Sequence, residues 1–595
     1  MHTRTGLLAA LAALSLPAGA LEFELGDARG SVINELSVGA AWRVEAQDAE
    51  LIGRANVTED GEAGTLYSTN SDDGNLSFEQ GDLIAAAIKL STQLDMNWGE
   101  WGVFVRGSAL YDPVLYDHDY FDAADYVGAP TRVAGPDDLE RKRDIVGEQV
   151  GLDADLLDAY IYGGFNVGDR YLSLRIGKQV LNWGEATFVQ HGLNALVAAE
   201  TAQLRVPGFE FEEVLIPAGM VLASIDLSNA VSLEAFYQFD WQRTRVDPVG
   251  TYFSTNDFVA EGGQFAEIGF GRCPEHSAPG VCPAAPGGSS IPRGPDRHAK
   301  DDEQGGVSLR FYTDALGGVE TALYAANIHS RLPLIGGRAT LAGFEGVAGT
   351  AQYFIEYPED IKLFGASFNL QLPFGGIAMQ GEYSLKQDQP LQLDEVEALL
   401  AGLRVPLPSR LGPFAPGEYI QAWRRHDVSQ AVLGFTKITS PIDWLRTSQV
   451  LLLFEAGATQ VHDFPDADEL PYEGPNTVQP RDPFVSAALG VPVQPGGYAT
   501  DFSWGYRALA RLSYPNAFNR FNIEPTLVFA HDVEGVAPTP VSNFIEDRKE
   551  IRALIDATYL GNWKMRLAYT TFFGGGMFNQ LADRDNVSLA VSYSF

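Results

Sequence analysis

Cysteine is almost missing from this 595-residue chain, which has two, Cys273 and Cys282. They lie in a Pro/Gly-rich stretch, close enough to close one small loop, which suits an oxidising compartment. Nearby His276 does not complete a zinc set, because two thiols and one imidazole fall short, so the reading is a structural disulfide. Long apolar runs are missing as well. The one sustained uncharged run, Leu7 to Leu16, is too short to cross a bilayer as a helix. It follows Arg4 and is closed by Ala18-Gly19-Ala20, the pattern of a secretory signal over residues 1–20 cleaved after Ala20. Mean hydropathy of −0.07 is too polar for a helical membrane protein. Positive charge is scarce too. Against 78 Asp and Glu stand 41 Lys and Arg, a net charge of −37, and a nucleic-acid partner, which needs net basic surface, is excluded. There is no glycine-rich phosphate loop and no HExxH helix, and nothing calls for a cofactor.

What the chain does have is alternation. Its last residues, Asn586 to Phe595, put Val587, Leu589, Val591, Tyr593 and Phe595 on one face and Ser588, Ala590, Ser592 and Ser594 on the other. A greasy face opposite a small polar face suits a strand with lipid on one side and a lumen on the other. The pattern recurs from Val32–Val44 and Asp82–Asp95, through Trp101–Tyr111, Leu156–Phe165, Val231–Arg243, Ile361–Gln371, Thr447–Gln460, Lys549–Tyr559 and Trp563–Phe573, to the end. Short turns such as Asn97–Glu100, Asn166–Asp169 and Leu560–Asn562 alternate with long polar segments such as Thr244–Gln304 and Val461–Phe502. The spacing predicts an all-β, transmembrane, antiparallel up-and-down barrel over residues 21–595, of about eighteen strands, or about sixteen if one hairpin is misjudged. Its turns are short and periplasmic, its loops long and extracellular, and both cysteines fall in one of those loops. A soluble sandwich would turn polar residues outward, whereas the face carrying Trp504, Tyr506, Ala508, Ala510, Leu512 and Tyr514 is apolar throughout.

Inward positions collect charge. The late strands offer Arg507, Arg511, Glu524, Arg552, Asp556 and Arg566; the earlier ones add Arg43, Arg106, Arg175, Gln179, Glu234, Arg310 and Glu382. Guanidinium rows on a lumen wall would guide an anionic or carboxylate-bearing solute. The alternative is cross-strand Arg–carboxylate ladders that satisfy the polar interior of a wide barrel. Two apolar stretches, Leu193–Leu204 and Leu393–Leu403, read as helices in long loops, either folded into the mouth to narrow it or packed on other loops above the rim. The acidic turn after Asn70 offers Asp72, Asp73 and Asn75 as oxygen ligands for calcium, without the spacing of an EF-hand; an ordinary Asp/Asn/Gly turn is the alternative. For catalysis, His531-Asp532 and His462-Asp463 are the adjacent pairs that a hydrolase at the rim would use. Neither comes with a nucleophile motif, so no catalytic residue is nominated and the chain is not read as an enzyme.

Several stretches taken in order carry a resemblance. They are LSVGAAWRVEAQDAELIGRAN from Leu36, NSDDGNLSFEQGDL from Asn70, LRIGKQVLNWGE from Leu174, VSLEAFYQFDWQRTRVDPVGTYFSTNDF from Val231, FAHDVEGVAPTP from Phe529, and the ending. Together they resemble a family of Gram-negative outer-membrane proteins filed as a domain of unknown function, with porin-like and fatty-acid-channel-like architecture. The resemblance spans nearly the whole mature chain. It implies an association with hydrophobic-substrate or steroid metabolism and with envelope transport machinery, and it brings no catalytic residues. The ending also resembles the signal that barrel-assembly machinery reads through a final aromatic residue, here Phe595. The expectation is an outer-membrane channel, set in outer-membrane lipid, for small hydrophobic or amphipathic solutes, carboxylate-bearing ones included. A docking component of an envelope-spanning transport machine, with a periplasmic partner, is the alternative, and an outer-membrane hydrolase is the third reading.

Overall fold

In the computed structural model, which describes residues 21–118, 120–121, 144–314 and 317–595, the period-two stretches close into one barrel. Its strands are β1 (Ala28–Arg43), β2 (Ile88–Trp98), β3 (Trp101–Tyr111), β4 (Leu152–Val167), β5 (Arg170–Gln179), β6 (Ala218–Ser228), β7 (Val231–Gln238), β8 (Gln304–Thr313) and β9 (Val319–Ile328). They continue as β10 (Ile361–Gln371), β11 (Ile377–Gln392), β12 (Trp423–Ile438), β13 (Gln449–Val461), β14 (Phe502–Ala517), β15 (Phe521–Glu534), β16 (Lys549–Tyr559), β17 (Trp563–Phe573) and β18 (Asn586–Ser594). Each pairs antiparallel with the next, and β18 returns to β1 with Leu36 opposite Tyr593 and Trp42 opposite Val587. Closure removes the sheet edges, so every wall strand is paired on both sides. Phe595 completes the seam by exchanging two backbone bonds with Asn34, of 2.8 and 2.9 Å. Beyond it, Leu21–Leu25 continues along the same edge of β1, with Leu25 opposite Ala28. The signal over residues 1–20 lies outside the described residues.

The start of β1 and the end of β18 sit at the end of the barrel where connections are short. Three of these turns are two residues long, 99–100, 168–169 and 229–230, and in the first two Gly99 and Gly168 take φ of 58° and 65°, the left-handed conformation that tight hairpins demand. The opposite end carries the long loops, which hold hydrophobic clusters of their own. One gathers Trp241, Phe258, Ile335, Tyr353, Tyr357 and Leu403. The loops therefore fold into a cap rather than trailing in solvent. The disulfide Cys273–Cys282 forms within the cap, with its Cα atoms 5.7 Å apart, and His276 turns its Nδ1 to Glu267 Oε1 at 3.3 Å.

Alternation sorts the side chains. Leu452 and Phe454 on β13 and Leu527 on β15 stand exposed on the outside, while Glu455, next after Phe454, is fully buried inside. Where boundaries differ from the sequence expectation, a local contact is responsible. The span Asp82–Asp95 breaks in two, since Leu83–Ala85 pairs separately with Ala41 and Trp42 across a bulge before β2 begins. Strand β7 stops short of Arg243 because Asp240 turns the chain, accepting the Gly219 N–H at 3.2 Å while its carbonyl takes the Gln238 amide at 2.6 Å. The helix expected at Leu193–Leu204 is instead two 3-10 turns, Leu193–Leu196 and Gln203–Arg205, around a short strand Ala198–Ala199. Leu193 and Leu196 are taken by the barrel wall, and the Leu193 N–H goes to a wall carboxylate instead of a helical carbonyl. The other expected helix forms at Glu395–Leu403, with Asp394 as its cap accepting the Glu397 N–H at 3.1 Å.

Candidate functional site

The connection between β5 and β6, residues 180–217, does not stay above the rim; it crosses the barrel interior as a strap. Two wall glutamates clasp its first half. Glu382, on β11, accepts the N–H groups of Glu185 at 2.6 Å, Ala186 at 3.0 Å and Leu193 at 3.3 Å. Glu455, on β13, accepts those of Thr187, Phe188 and Val189, each at 2.7 Å. Charge-assisted bonds to backbone donors are the strong kind, and here they replace secondary structure for a stretch that has none. Gly184 and Gly192 make this approach feasible, because a Cβ would stand 2.2 and 2.5 Å from the Glu382 oxygens. Trp183 anchors the start of the strap, donating its indole N–H to Glu234 at 2.7 Å and lying edge-on to Phe236.

The second half of the strap reaches the opposite wall. Pro207 packs on Gly39 of β1, Lys89 of β2 pairs with Glu213, Arg106 of β3 reaches Glu212 at 3.2 Å, and Lys564 of β17 reaches Glu210 at 2.7 Å. Anchors on β1, β2, β3 and β17 at one side and on β7, β11 and β13 at the other fix a constriction inside the barrel. Above it the cap encloses a chamber of about 480 Å³ whose floor includes Thr201 and Arg205 of the strap. Its walls mix apolar side chains, among them Phe253, Phe258, Leu399, Leu400 and Ile545, with Arg548, Glu395 and Glu473. That mixture is what an amphipathic guest needs.

Acidic groups in the chamber wall are held away from their ordinary state. Burial pushes the Glu395 carboxyl up to about 7; its remaining exposed surface faces the chamber. Burial, with the neighbouring carboxylates adding to it, raises Asp394 and Glu473 well above the usual carboxylate range. Arg410, whose charge lowers Asp394 against that rise, is committed to Glu397 at 2.6 Å.

The sequence-nominated residues fall into three groups. Arg106, Glu234 and Glu382 hold the strap. Arg43 is fully buried at the loop end and saturated: it donates to Asn75 Oδ1 at 2.8 Å, the Phe78 carbonyl at 2.9 Å and Asp583 Oδ2 at 3.1 Å. The rest pair mainly across strands: Arg310 with Glu320 at 3.1 Å, Arg507 with Asp532 at 2.7 Å, Arg566 with Asp556 at 2.6 Å. Arg511 donates to Thr526 at 3.2 Å, Glu524 accepts from Ser513 at 3.0 Å, Gln179 donates to the Met220 carbonyl at 3.3 Å, and Arg175 lies over the Tyr160 ring. Arg552 keeps a buried Nε without a hydrogen-bond partner. Sequence reasoning missed Glu455, Lys89 and Lys564; for Glu455 the signal was a lone charge on the inward face it shares with Leu451, Leu453, Gly457 and Thr459.

Of the calcium candidates, Asp72 and Asp73 approach a third acid, Asp257, whereas Asn75 is a correction, since its Oδ1 accepts from Arg43 and its amide donates to Asp583 at 2.6 Å. The histidine pairs do not assemble a triad. His531 shares the outer face with Tyr506 and Phe529, while Asp532 points inward to Arg507 and Arg548. His462 Nε2 lies 2.7 Å from Ser429 Oγ, which also meets the Tyr383 hydroxyl at 2.8 Å. Among the described residues no carboxylate pairs with the His462 ring.

A family model described as "Protein of unknown function (DUF1302)" matches residues 1–595. No curated protein matches the chain. Solved structures do. OccK1 (OpdK) of Pseudomonas aeruginosa is similar at 8% identity, with 95% of this chain and 98% of that chain covered and a TM-score of 0.39. OccAB1 of Acinetobacter baumannii is similar at 9% identity, covering 96% and 97%, with a TM-score of 0.40.

Proposed function

The chain belongs to the family described as Protein of unknown function (DUF1302), and we propose that within it this barrel is an outer-membrane channel for small amphipathic solutes, carboxylate-bearing ones included. The observation that carries this reading is the stacking of a mixed apolar and polar chamber directly on a clasped strap inside a closed barrel. A guest enters through the cap, leaves water for the apolar chamber wall, and passes the strap along the lumen. Arg507, Arg511, Arg552 and Arg566, with Glu524 and Asp556 among them, line the wall from β14 to β17, where Lys564 is the one strap anchor among those named, and this is where the solute runs. In this reading residues 1–20 are the export signal, 21–595 the barrel, and the long loops face the outside.

Proteoliposome swelling tests it. Monocarboxylates with short alkyl tails are expected to enter faster than sugars of equal size, and Arg507→Gln with Arg511→Gln is expected to lower anion over cation selectivity in planar bilayers. Absence of both solute flux and conductance from correctly folded protein would overturn the channel; unchanged selectivity in the double variant would remove the guiding wall.

A further inference from the structure

We propose that Lys386, together with the Ser384 hydroxyl, is where the solute's carboxylate docks on its way from the chamber to the strap. This deepens the channel reading above and rests on it. Lys386 belongs to β11 and faces inward, two positions beyond Ser384 and four beyond the clasping Glu382. Six residues further on, Gln392 lines the chamber, which at a rise of about 3.3 Å per residue puts the lysine within roughly 20 Å of it along the strand. In the other direction the strap passes close by, since its Leu193 packs on Gly365, the residue opposite Ser384. The ammonium therefore stands between chamber and constriction on the clasped side of the barrel.

What singles this lysine out is that nothing answers its charge. It is 2% exposed, and among the described residues it has no hydrogen bond and no opposite charge acting on it. Other inward cations are matched: Lys89 pairs with Glu213 and Arg106 with Asp158. The acids nearest Lys386 along its strand pair are engaged or turned away. Glu382 is spent on three strap N–H groups, and Asp388 and Asp427 are exposed at the loop end. On the strap side the Lys386 charge is felt by His191, on which no acid acts either. Ser384, fully buried, also leaves its hydroxyl without a partner. A neutral amine would accept that hydroxyl's hydrogen; instead two donors stand on one face with no acceptor. Each is costly in that state, and one carboxylate supplies acceptors for both.

The donors set the class of ligand. An ammonium is a compact point charge without the planar fork of a guanidinium, and with one hydroxyl beside it the pair suits a single carboxylate. The register partners of Lys386, Leu363 and Val428, are apolar and buried, so an ion pair formed here is screened less than one in open water. A resident acid at this point would close the site, as Asp556 closes Arg566 further round the wall. Its place is left to the solute. The arginine wall begins three strands away at β14, so docking at Lys386 precedes passage along it.

The test is isothermal titration of pentanoate, and of its uncharged isostere pentanamide, into the full-length protein in detergent, in chloride-free buffer with empty micelles as the blank. Wild type is expected to bind pentanoate more tightly than pentanamide. Lys386→Met is expected to lose roughly tenfold or more of the pentanoate affinity with pentanamide unchanged, and Ser384→Ala roughly twofold to tenfold. Heat-dependent gel mobility confirms that each variant is a folded barrel, and Ser384→Ala provides the reading if Lys386→Met does not fold. Equal pentanoate affinity in the folded variant would overturn the docking point, and so would chloride that competes as strongly as pentanoate, since the lysine would then serve an inorganic anion. Bilayer conductance of the same wild-type protein separates the two failures: a conducting barrel that binds no pentanoate loses the docking point alone, whereas one that neither conducts nor passes solutes loses the channel.

Discussion

Glu473 and Glu395 face one another's charge across the chamber wall, and the backbone N–H of Glu395 donates to Glu473 at 2.7 Å. Their carboxyls, with Asp394, are raised above the unfolded values of about 4.3 for Glu and about 3.9 for Asp. The folded cap therefore binds protons that the unfolded loops release. The stability this contributes is fully present below the unfolded value and is lost as pH rises through about 7, where Glu395 titrates. Loops 393–422 and 462–501 are expected to exchange backbone hydrogen more slowly at pH 5 than at pH 8, by on the order of 1–2 kcal/mol in opening energy once screening by chamber water is allowed for. Glu473→Gln is expected to flatten that dependence and to slow exchange at pH 8; an undiminished slope would show that other groups govern it. At this scale the sequence was partly legible. Spacing could place Asp72 beside Asp73, but it nominated Asn75, which Arg43 claims, and could not reach Asp257, brought in by a different loop.

The strap shows how an element can hide from pattern reading. Between Leu181 and Leu196 there is neither a helical nor a strand period, because its backbone donors are satisfied by two side chains on distant strands. Amphipathicity over Leu193–Leu204 suggested a helix, since apolar residues spaced to meet a wall look the same in sequence as residues spaced to make a stripe. By contrast Glu395–Leu403 carries its own cap and was legible as a helix. The clasp makes a definite prediction. In Glu455→Gln the amide retains one acceptor and turns an N–H2 toward backbone donors, forfeiting bonds worth roughly 1.5–3 kcal/mol each. A released strap should raise single-channel conductance and noise, with its open population up roughly tenfold to a hundredfold. Identical traces from Glu455→Gln and wild type would show that the strap does not limit flow.

At the scale of the whole molecule, period-two alternation with one apolar face determined nearly everything, because register in a closed barrel leaves each strand only two ways to face. Eleven-residue spans such as Trp101–Tyr111, Ile361–Gln371, Lys549–Tyr559 and Trp563–Phe573 have the bounds the pattern set. The same alternation makes neighbouring positions opposite in tolerance. Ile555, Leu567 and Leu589 lie side by side on β16, β17 and β18, each close to half exposed, in an outward row that the proposed function sets in hydrocarbon. One residue earlier, Arg566 faces inward and pairs with Asp556. An arginine is thus native at one position and out of place at the next. Leu567→Arg is expected to cost about 2–4 kcal/mol near the bilayer midplane, seen as a lower urea midpoint and loss of heat-modifiable mobility, whereas Arg566→Gln should leave a folded barrel. If the barrel instead presented its apolar row to another protein layer or to water, depth would not matter, and Leu567→Arg would cost no more than the same substitution at Leu560, in the turn beyond the belt.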